Sequence, residues 1–89
     1  MRADYKFLRT WSYKPGLIRG NFLYMGYYIV YRVNVWKKQV HYISKIDGDE
    51  WDEDMLERKF GVEKQELKAL IFDHCIQWME AQSHGKKET

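Results

Sequence analysis

Cysteine, long apolar runs and acidic residues in the first half of the chain are all scarce in this sequence. The single cysteine, Cys75, cannot form a disulfide within the chain, so nothing indicates a secreted fold held by cross-links. No apolar run approaches the roughly eighteen residues that span a membrane, and the N-terminal residues lack the apolar core of a signal peptide. We therefore expect a cytoplasmic protein with no membrane-embedded part.

The scarcity of acids creates a strong charge asymmetry. Residues 1–46 contain nine Lys/Arg and one acid, Asp4, for a net charge of +8, whereas residues 47–89 contain six Lys/Arg and twelve acids, for −6. Eleven of the fifteen aromatic residues also lie in the basic half. This pattern indicates an anionic partner for the basic half. The alternative is that the two halves simply attract each other.

The length of 89 residues suits a single domain with a small core. We assign residues 1–82 to one compact domain and residues 83–89 to a flexible C-terminal tail. Residues 4–14 alternate in polarity, which predicts a strand with Tyr5, Phe7, Trp11 and Tyr13 on one side, interrupted by Arg9. Pro15-Gly16 then predicts a turn. Residues 15–23, which include Gly20-Asn21, are predicted to form a loop or a short extra hairpin.

An antiparallel hairpin is the best-supported element, with residues 24–36 and 39–46 as its strands and Lys37-Lys38 at its tip. Pairing across this tip places Val33 opposite Tyr42, and alternation then gives the hairpin two faces. The apolar face, predicted to be core, contains Met25, Tyr27, Ile29, Tyr31, Val33, Val35, Val40, Tyr42 and Ile46. The outward face contains Tyr28, Val30, Arg32, Asn34, Trp36, Gln39, His41, Ile43 and Lys45.

The hydrophobic period changes after Asp47-Gly48. Residues 52–60 predict a short helix with acids in its first turn and Gly61 at its end. Residues 63–82 predict a long amphipathic helix. Its apolar stripe contains Leu67, Leu70, Ile71, His74, Trp78 and Met79. The predicted fold is therefore α+β, with an N-terminal antiparallel three-stranded sheet (β-β-β) packed against two C-terminal helices.

The sequence offers little for catalysis or metal binding. His74 and Cys75 are adjacent on a helix, so they point about 100° apart and cannot act as an aligned base and nucleophile. No glycine-rich phosphate loop, GxSxG elbow or HExxH motif occurs. The acidic run at residues 47–54 lacks the ligand spacing of a calcium-binding loop. We predict that the protein is not an enzyme and needs no cofactor or metal.

Residues 55–71 resemble a helix-turn-helix, because Leu56, Phe60, Val62, Leu67 and Leu70 have its apolar spacing and Gly61 stands at its turn. The stretch departs from that motif where Glu57 replaces the usual small residue. Acids also nearly cancel the positive charge of the second helix, which disfavours contact with DNA phosphates. The pattern predicts two helices that meet at a sharp angle, and not a DNA-reading element.

The outward face of the hairpin is the predicted functional site, because rings interleaved with cations on a sheet are typical of single-stranded nucleic-acid binding. The candidate binding residues are Tyr28, Arg32, Trp36, Lys37, Lys38, His41 and Lys45. The first hypothesis is a small non-catalytic nucleic-acid-binding accessory protein. The alternative is a protein-interaction module, such as an inhibitor, immunity protein or assembly factor, that uses the same face and can form a homodimer.

Overall fold

The protein folds as one antiparallel sheet with two helices on one of its faces, and the computed structural model describes residues 4–88, with side chains for residues 4–82. The five strands follow chain order across the sheet. They are β1 (Tyr5–Lys14), β2 (Leu17–Tyr24), β3 (Tyr27–Asn34), β4 (Gln39–Ile46) and β5 (Asp49–Asp52), followed by α1 (Glu53–Phe60) and α2 (Lys64–Glu88). The predicted α+β class with two helices is confirmed. The predicted three-stranded sheet is wrong, because the sheet has five strands.

The first additional strand is β2, in the segment that was predicted as a loop or short hairpin. Gly20 misled that prediction, because glycine followed by asparagine is a common turn signal. Gly20 instead lies in the middle of β2, opposite Tyr31. A Cβ atom on residue 20 would collide with the Tyr31 hydroxyl and the carbonyl oxygen of Arg9. Glycine is therefore used here to make room for a buried ring and not to reverse the chain.

The turn at Met25-Gly26 divides the long predicted strand 24–36 into the end of β2 and the start of β3. Both residues have positive φ, 50° and 86°, as a tight two-residue hairpin turn requires. The next turn spans residues 35–38 and pairs Val33 with Val40, so the predicted β3–β4 register is displaced by two residues. A displacement by an even number of residues leaves every side chain of β3 and β4 on its predicted face.

The second additional strand is β5, which precedes α1 directly. Asp52 ends β5 and caps α1, because its carboxylate accepts the backbone N–H of Met55 at 2.9 Å. Gly61 ends α1 in the left-handed conformation, as predicted. Glu57 is the residue that departs from the helix-turn-helix pattern. Its carboxylate accepts the backbone N–H of Lys64 at 2.9 Å, and so provides an acceptor for one of the N–H groups at the start of α2 that have no partner within the helix.

The core lies between the helices and one face of the sheet. Its buried residues are Ile18, Phe22, Tyr24, Ile29, Tyr31, Val33, Val40, Tyr42, Leu56, Val62, Leu67, Ile71 and Cys75. Met25, which was predicted on this face, is exposed in the β2–β3 turn. Within residues 4–88, no helix is long and apolar enough to cross a membrane. α2 runs to Glu88, beyond its predicted end near Gln82. The flexibility of residues 83–89 stays a prediction.

Candidate functional site

The open face of the sheet, defined as the side of β1–β4 that faces away from α1 and α2, is the candidate site. Along β2, β3 and β4 its residues alternate with buried ones, so Arg19 follows Ile18 and Arg32 precedes Val33. Residues 5–46, which form β1–β4 and their turns, contain eight Lys/Arg and no acid. The open face is therefore cationic, and the segment that builds it supplies no carboxylate to balance the charge.

Four side chains form a continuous row across the open face. Trp11 on β1 pairs with Arg19 on β2, Arg19 pairs with Arg32 on β3, and Arg32 pairs with His41 on β4. We call these residues the cross-strand row. Directly opposed residues in a sheet have Cβ atoms about 4.5–5.5 Å apart, so the row places two arginine side chains next to each other, between Trp11 and His41.

Trp11 reaches this face because β1 contains a bulge. Phe7 pairs with Phe22 and Arg9 pairs with Asn21, so Leu8 is an extra residue with no partner. A one-residue insertion reverses the side-chain alternation beyond it. Before the bulge, Phe7 faces the helices, and after it Arg9 and Trp11 face outward. The sequence prediction assumed uninterrupted alternation and so placed Phe7 and Trp11 on the same face.

Two arginines lie over aromatic rings on the open face. The guanidinium carbon of Arg9 is 5.4 Å from the ring centroid of Trp11, and that of Arg19 is 4.6 Å from the centroid of Tyr13. Such cation–π contacts stabilise by about 0.5–1 kcal/mol at exposed positions. The rings and the positive charge of this surface therefore lie against each other.

The cross-strand row separates two shallow depressions. The first, of about 280 Å³, lies on the row's Val30 and Ile43 side and is lined by Trp11, Arg19, Val30, Arg32, His41 and Ile43. The second, of about 240 Å³, lies on the Asn34 and Gln39 side and is lined by Tyr13, Leu17, Arg32, Asn34, Gln39 and His41. We call them the apolar depression and the amide depression. Arg32 and His41 form the wall that they share.

The predicted site residues divide between the open face and the β3–β4 turn. Tyr28, Arg32, His41 and Lys45 lie on the open face, and the cross-strand partner of Lys45 is Glu50. Trp36 lies in the turn with Lys37 and Lys38, and it lines a separate depression of about 390 Å³ beside Trp78 and Met79 of α2. The hairpin prediction assumed that Trp36 lies on the same surface as Arg32, and the structure does not place it there.

Sequence reasoning missed four residues of the open face, namely Arg9, Trp11, Tyr13 and Arg19. All four belong to β1 or β2. The face on which each of them lies depends on the pairing of these two strands, and β2 was not predicted. One signal was present in the sequence, because Arg9 interrupts the apolar alternation of β1 at the bulge.

The potentially reactive side chains lie in the core, on the other side of the sheet. Cys75 is fully buried, and burial raises the pKa of its thiol to about 12. His74 stacks on Phe7 with ring centroids 3.6 Å apart, and burial lowers the pKa of its imidazole. Its Nε2 is 2.8 Å from the Thr10 hydroxyl, which is 2.8 Å from the Tyr31 hydroxyl. Among the described residues, no group of three or more His, Cys, Asp or Glu could hold a metal ion.

Comparison with known proteins adds no identity to this geometry. The chain matches no family model, and comparisons with curated proteins and with solved structures find no match either.

Proposed function

We propose that this protein is a small non-catalytic accessory protein that binds single-stranded nucleic acid on the open face. The observation that carries the proposal is the direct pairing of Arg19 with Arg32. Like charges that face each other across a sheet are destabilising. Residues 5–46 contain no acid to offset this repulsion, so a bound anion is the natural counter-charge. A phosphate that contacts both guanidinium groups would supply it.

The rings of the open face extend this argument from phosphate to nucleic acid. Trp11, Tyr13 and Tyr28 are 38%, 44% and 45% exposed, respectively. Exposed rings beside cations suit bases that stack while arginine and lysine follow the phosphates, and each stacked base is worth about 1–3 kcal/mol. The strands present no protruding helix or ribbon on this face to enter a major groove, which favours single strands over duplexes.

The absence of catalysis is part of the proposal. A buried thiol with a raised pKa is protonated at neutral pH and is a poor nucleophile. His74 is enclosed by Phe7, Thr10 and Tyr31, on the side of the sheet away from the open face. Neither group contributes to the surface where the proposed ligand binds.

The test is a fluorescence-anisotropy titration of a labelled oligothymidylate at several salt concentrations. Each phosphate contact to a single strand contributes about 0.7 to the slope of log affinity against log salt. Because Arg19 and Arg32 contact the same phosphate, the double variant Arg19→Gln with Arg32→Gln should lower the slope by about 0.7. Arg58→Gln with Lys59→Gln, which removes two exposed charges from α1, is the matched control and should leave the slope unchanged. Absence of binding at low salt would overturn the proposal.

A protein-interaction module is the second candidate, and one observation favours it. Leu23 and Tyr28 are direct cross-strand partners, and together with Val30 they form an exposed apolar cluster on the open face. Exposed tyrosine beside aliphatic residues is typical of interface hot spots. If no oligonucleotide binds, sedimentation of the wild type and of Tyr28→Ala would show whether this cluster associates with a second copy.

A further inference from the structure

The two depressions on the open face differ in chemistry although they share a wall. Val30 and Ile43 give the apolar depression an aliphatic floor, and Trp11 borders it. The amide depression instead contains the side chains of Asn34 and Gln39, which are direct cross-strand partners. The apolar depression therefore contains no carboxamide, whereas the amide depression offers two carboxamide groups that can form hydrogen bonds with a base.

The spacing of the depressions fits two successive nucleotides of an unstacked strand. Each depression lies between the cross-strand row and one neighbouring pair, Val30 with Ile43 or Asn34 with Gln39, so the two depressions are one row spacing, or two residues, apart. At about 3.4 Å per residue, that separation is roughly 6.8 Å. Bases in a duplex are about 3.4 Å apart, so two neighbouring bases can occupy both depressions only if they unstack from each other. Arg32, in the shared wall, then lies between them with a planar guanidinium that can stack on either base.

The hydrogen-bonding groups of the amide depression restrict the base that it can hold. The Asn34 side-chain oxygen already accepts the backbone N–H of Lys37 at 3.1 Å, which leaves its NH₂ group as a donor. Gln39 is exposed and presents both an acceptor and a donor. A free carboxamide can pair in bidentate fashion with N6 and N7 of adenine, whereas the corresponding edge of guanine offers two acceptors and leaves the amide oxygen unpaired.

We propose that the open face binds a two-nucleotide step, with any base in the apolar depression and adenine preferred in the amide depression through Gln39. This inference rests on the proposed function, because it specifies how the same surface would hold a single strand. Arg19 and Arg32 hold the linking phosphate, and Gln39 is the specificity-determining residue. Affinity and base preference are thus assigned to different side chains, which allows them to be measured separately.

The experiment compares labelled oligothymidylate of about ten nucleotides with versions carrying a single central dA, dG or dC. Wild-type protein should bind the dA version at least about fivefold more tightly than the others, the lower limit for one bidentate base contact. Gln39→Leu should abolish this preference by lowering the affinity for the dA version to that for the other three, and the salt slope should stay the same because no charge is removed. Gln77→Leu, on the exposed surface of α2 and away from both depressions, is the matched control and should keep the preference.

Two results would overturn the inference while leaving the proposed function intact. They are equal binding of all four oligonucleotides by the wild type, and an undiminished dA preference in Gln39→Leu. Failure of every oligonucleotide to bind would overturn both the inference and the proposed function. Thermal melts of both glutamine variants show whether either substitution alters folding, so a loss of base preference in a fully folded Gln39→Leu is attributable to the missing amide.

Discussion

Arg19 and Arg32 face each other directly across β2 and β3 on the open face of the sheet. Their repulsion should cost stability, and an anionic ligand should recover it. We therefore expect Arg32→Gln to stabilise the free protein by about 0.2–1 kcal/mol, the size of a cross-strand charge effect, while weakening oligonucleotide binding. Urea denaturation and anisotropy measure the two quantities. A variant that is less stable than the wild type would show that the arginine pair does not repel.

The two exposed tryptophans should differ in their importance for binding. Trp11 borders the apolar depression beside Arg19 and Arg32, whereas Trp36 borders a depression on α2. Trp11→Ala should reduce single-strand affinity by about 1–3 kcal/mol through lost stacking. Trp36→Ala should have a smaller effect, and its 71% exposed side chain should add little to stability. If Trp36→Ala weakens binding more than Trp11→Ala, the ligand lies over the β3–β4 turn and not over the cross-strand row.

The two faces of β3 provide a direct test of the sheet's orientation. Val33 is 2% exposed, so Val33→Asp buries an unpaired carboxylate and should unfold the domain. Asn34→Asp should be nearly silent in thermal melts, because aspartate keeps the oxygen that accepts the Lys37 N–H. The reverse order of melting temperatures would mean that the faces are exchanged.

The faces of the hairpin could be predicted although its register could not. Side-chain alternation has a period of two, so the two-residue displacement at the β3–β4 turn changes the partners of Val33 and Tyr31 without moving either to the other face. The loop at residues 35–38 decides the register, and Lys37-Lys38 carries no strong turn preference. The alternation of side chains therefore identified Arg32 and His41 as outward-facing residues without identifying their neighbours.

The rest of the site depended on tertiary structure. Gly20 is required by the buried Tyr31 ring and has no local signature that distinguishes this role from a turn. The bulge at Leu8, which turns Trp11 outward, is visible only once β1 is paired with β2. Both features become visible only through contacts between strands. For this reason half of the cross-strand row, Trp11 and Arg19, was absent from the predicted site.

The buried side of α2 gives a graded prediction for core substitutions. Leu67 and Ile71 are completely buried, whereas Leu70, which the sequence stripe also included, is only partly buried against the core. Ile71→Ala should therefore cost about 2–5 kcal/mol of unfolding free energy, and Leu70→Ala should cost less. Urea denaturation of the two variants measures the difference. Equal losses would show that α2 is rotated relative to the sheet.

The pH dependence of stability should depend on His74. Burial lowers the pKa of its imidazole in the folded protein, whereas an unfolded histidine takes up its proton near pH 6.5. Below about pH 6.5 the unfolded chain therefore binds more protons than the folded one, and the free energy of unfolding falls as pH is lowered. Above that pH the imidazole is neutral in both states, and its contribution is fully present.

Urea denaturation of the wild type between about pH 7.5 and pH 5 should show this loss, because the window lies above the ordinary pKa range of carboxyl groups. His74→Gln removes the titrating group, so its stability should change less across the same window, although its absolute stability should fall with loss of the Phe7 stack. If His74→Gln retains the full slope, another group is responsible for the loss, and the stacked imidazole of His74 is not the group that makes the folded state sensitive to mild acid.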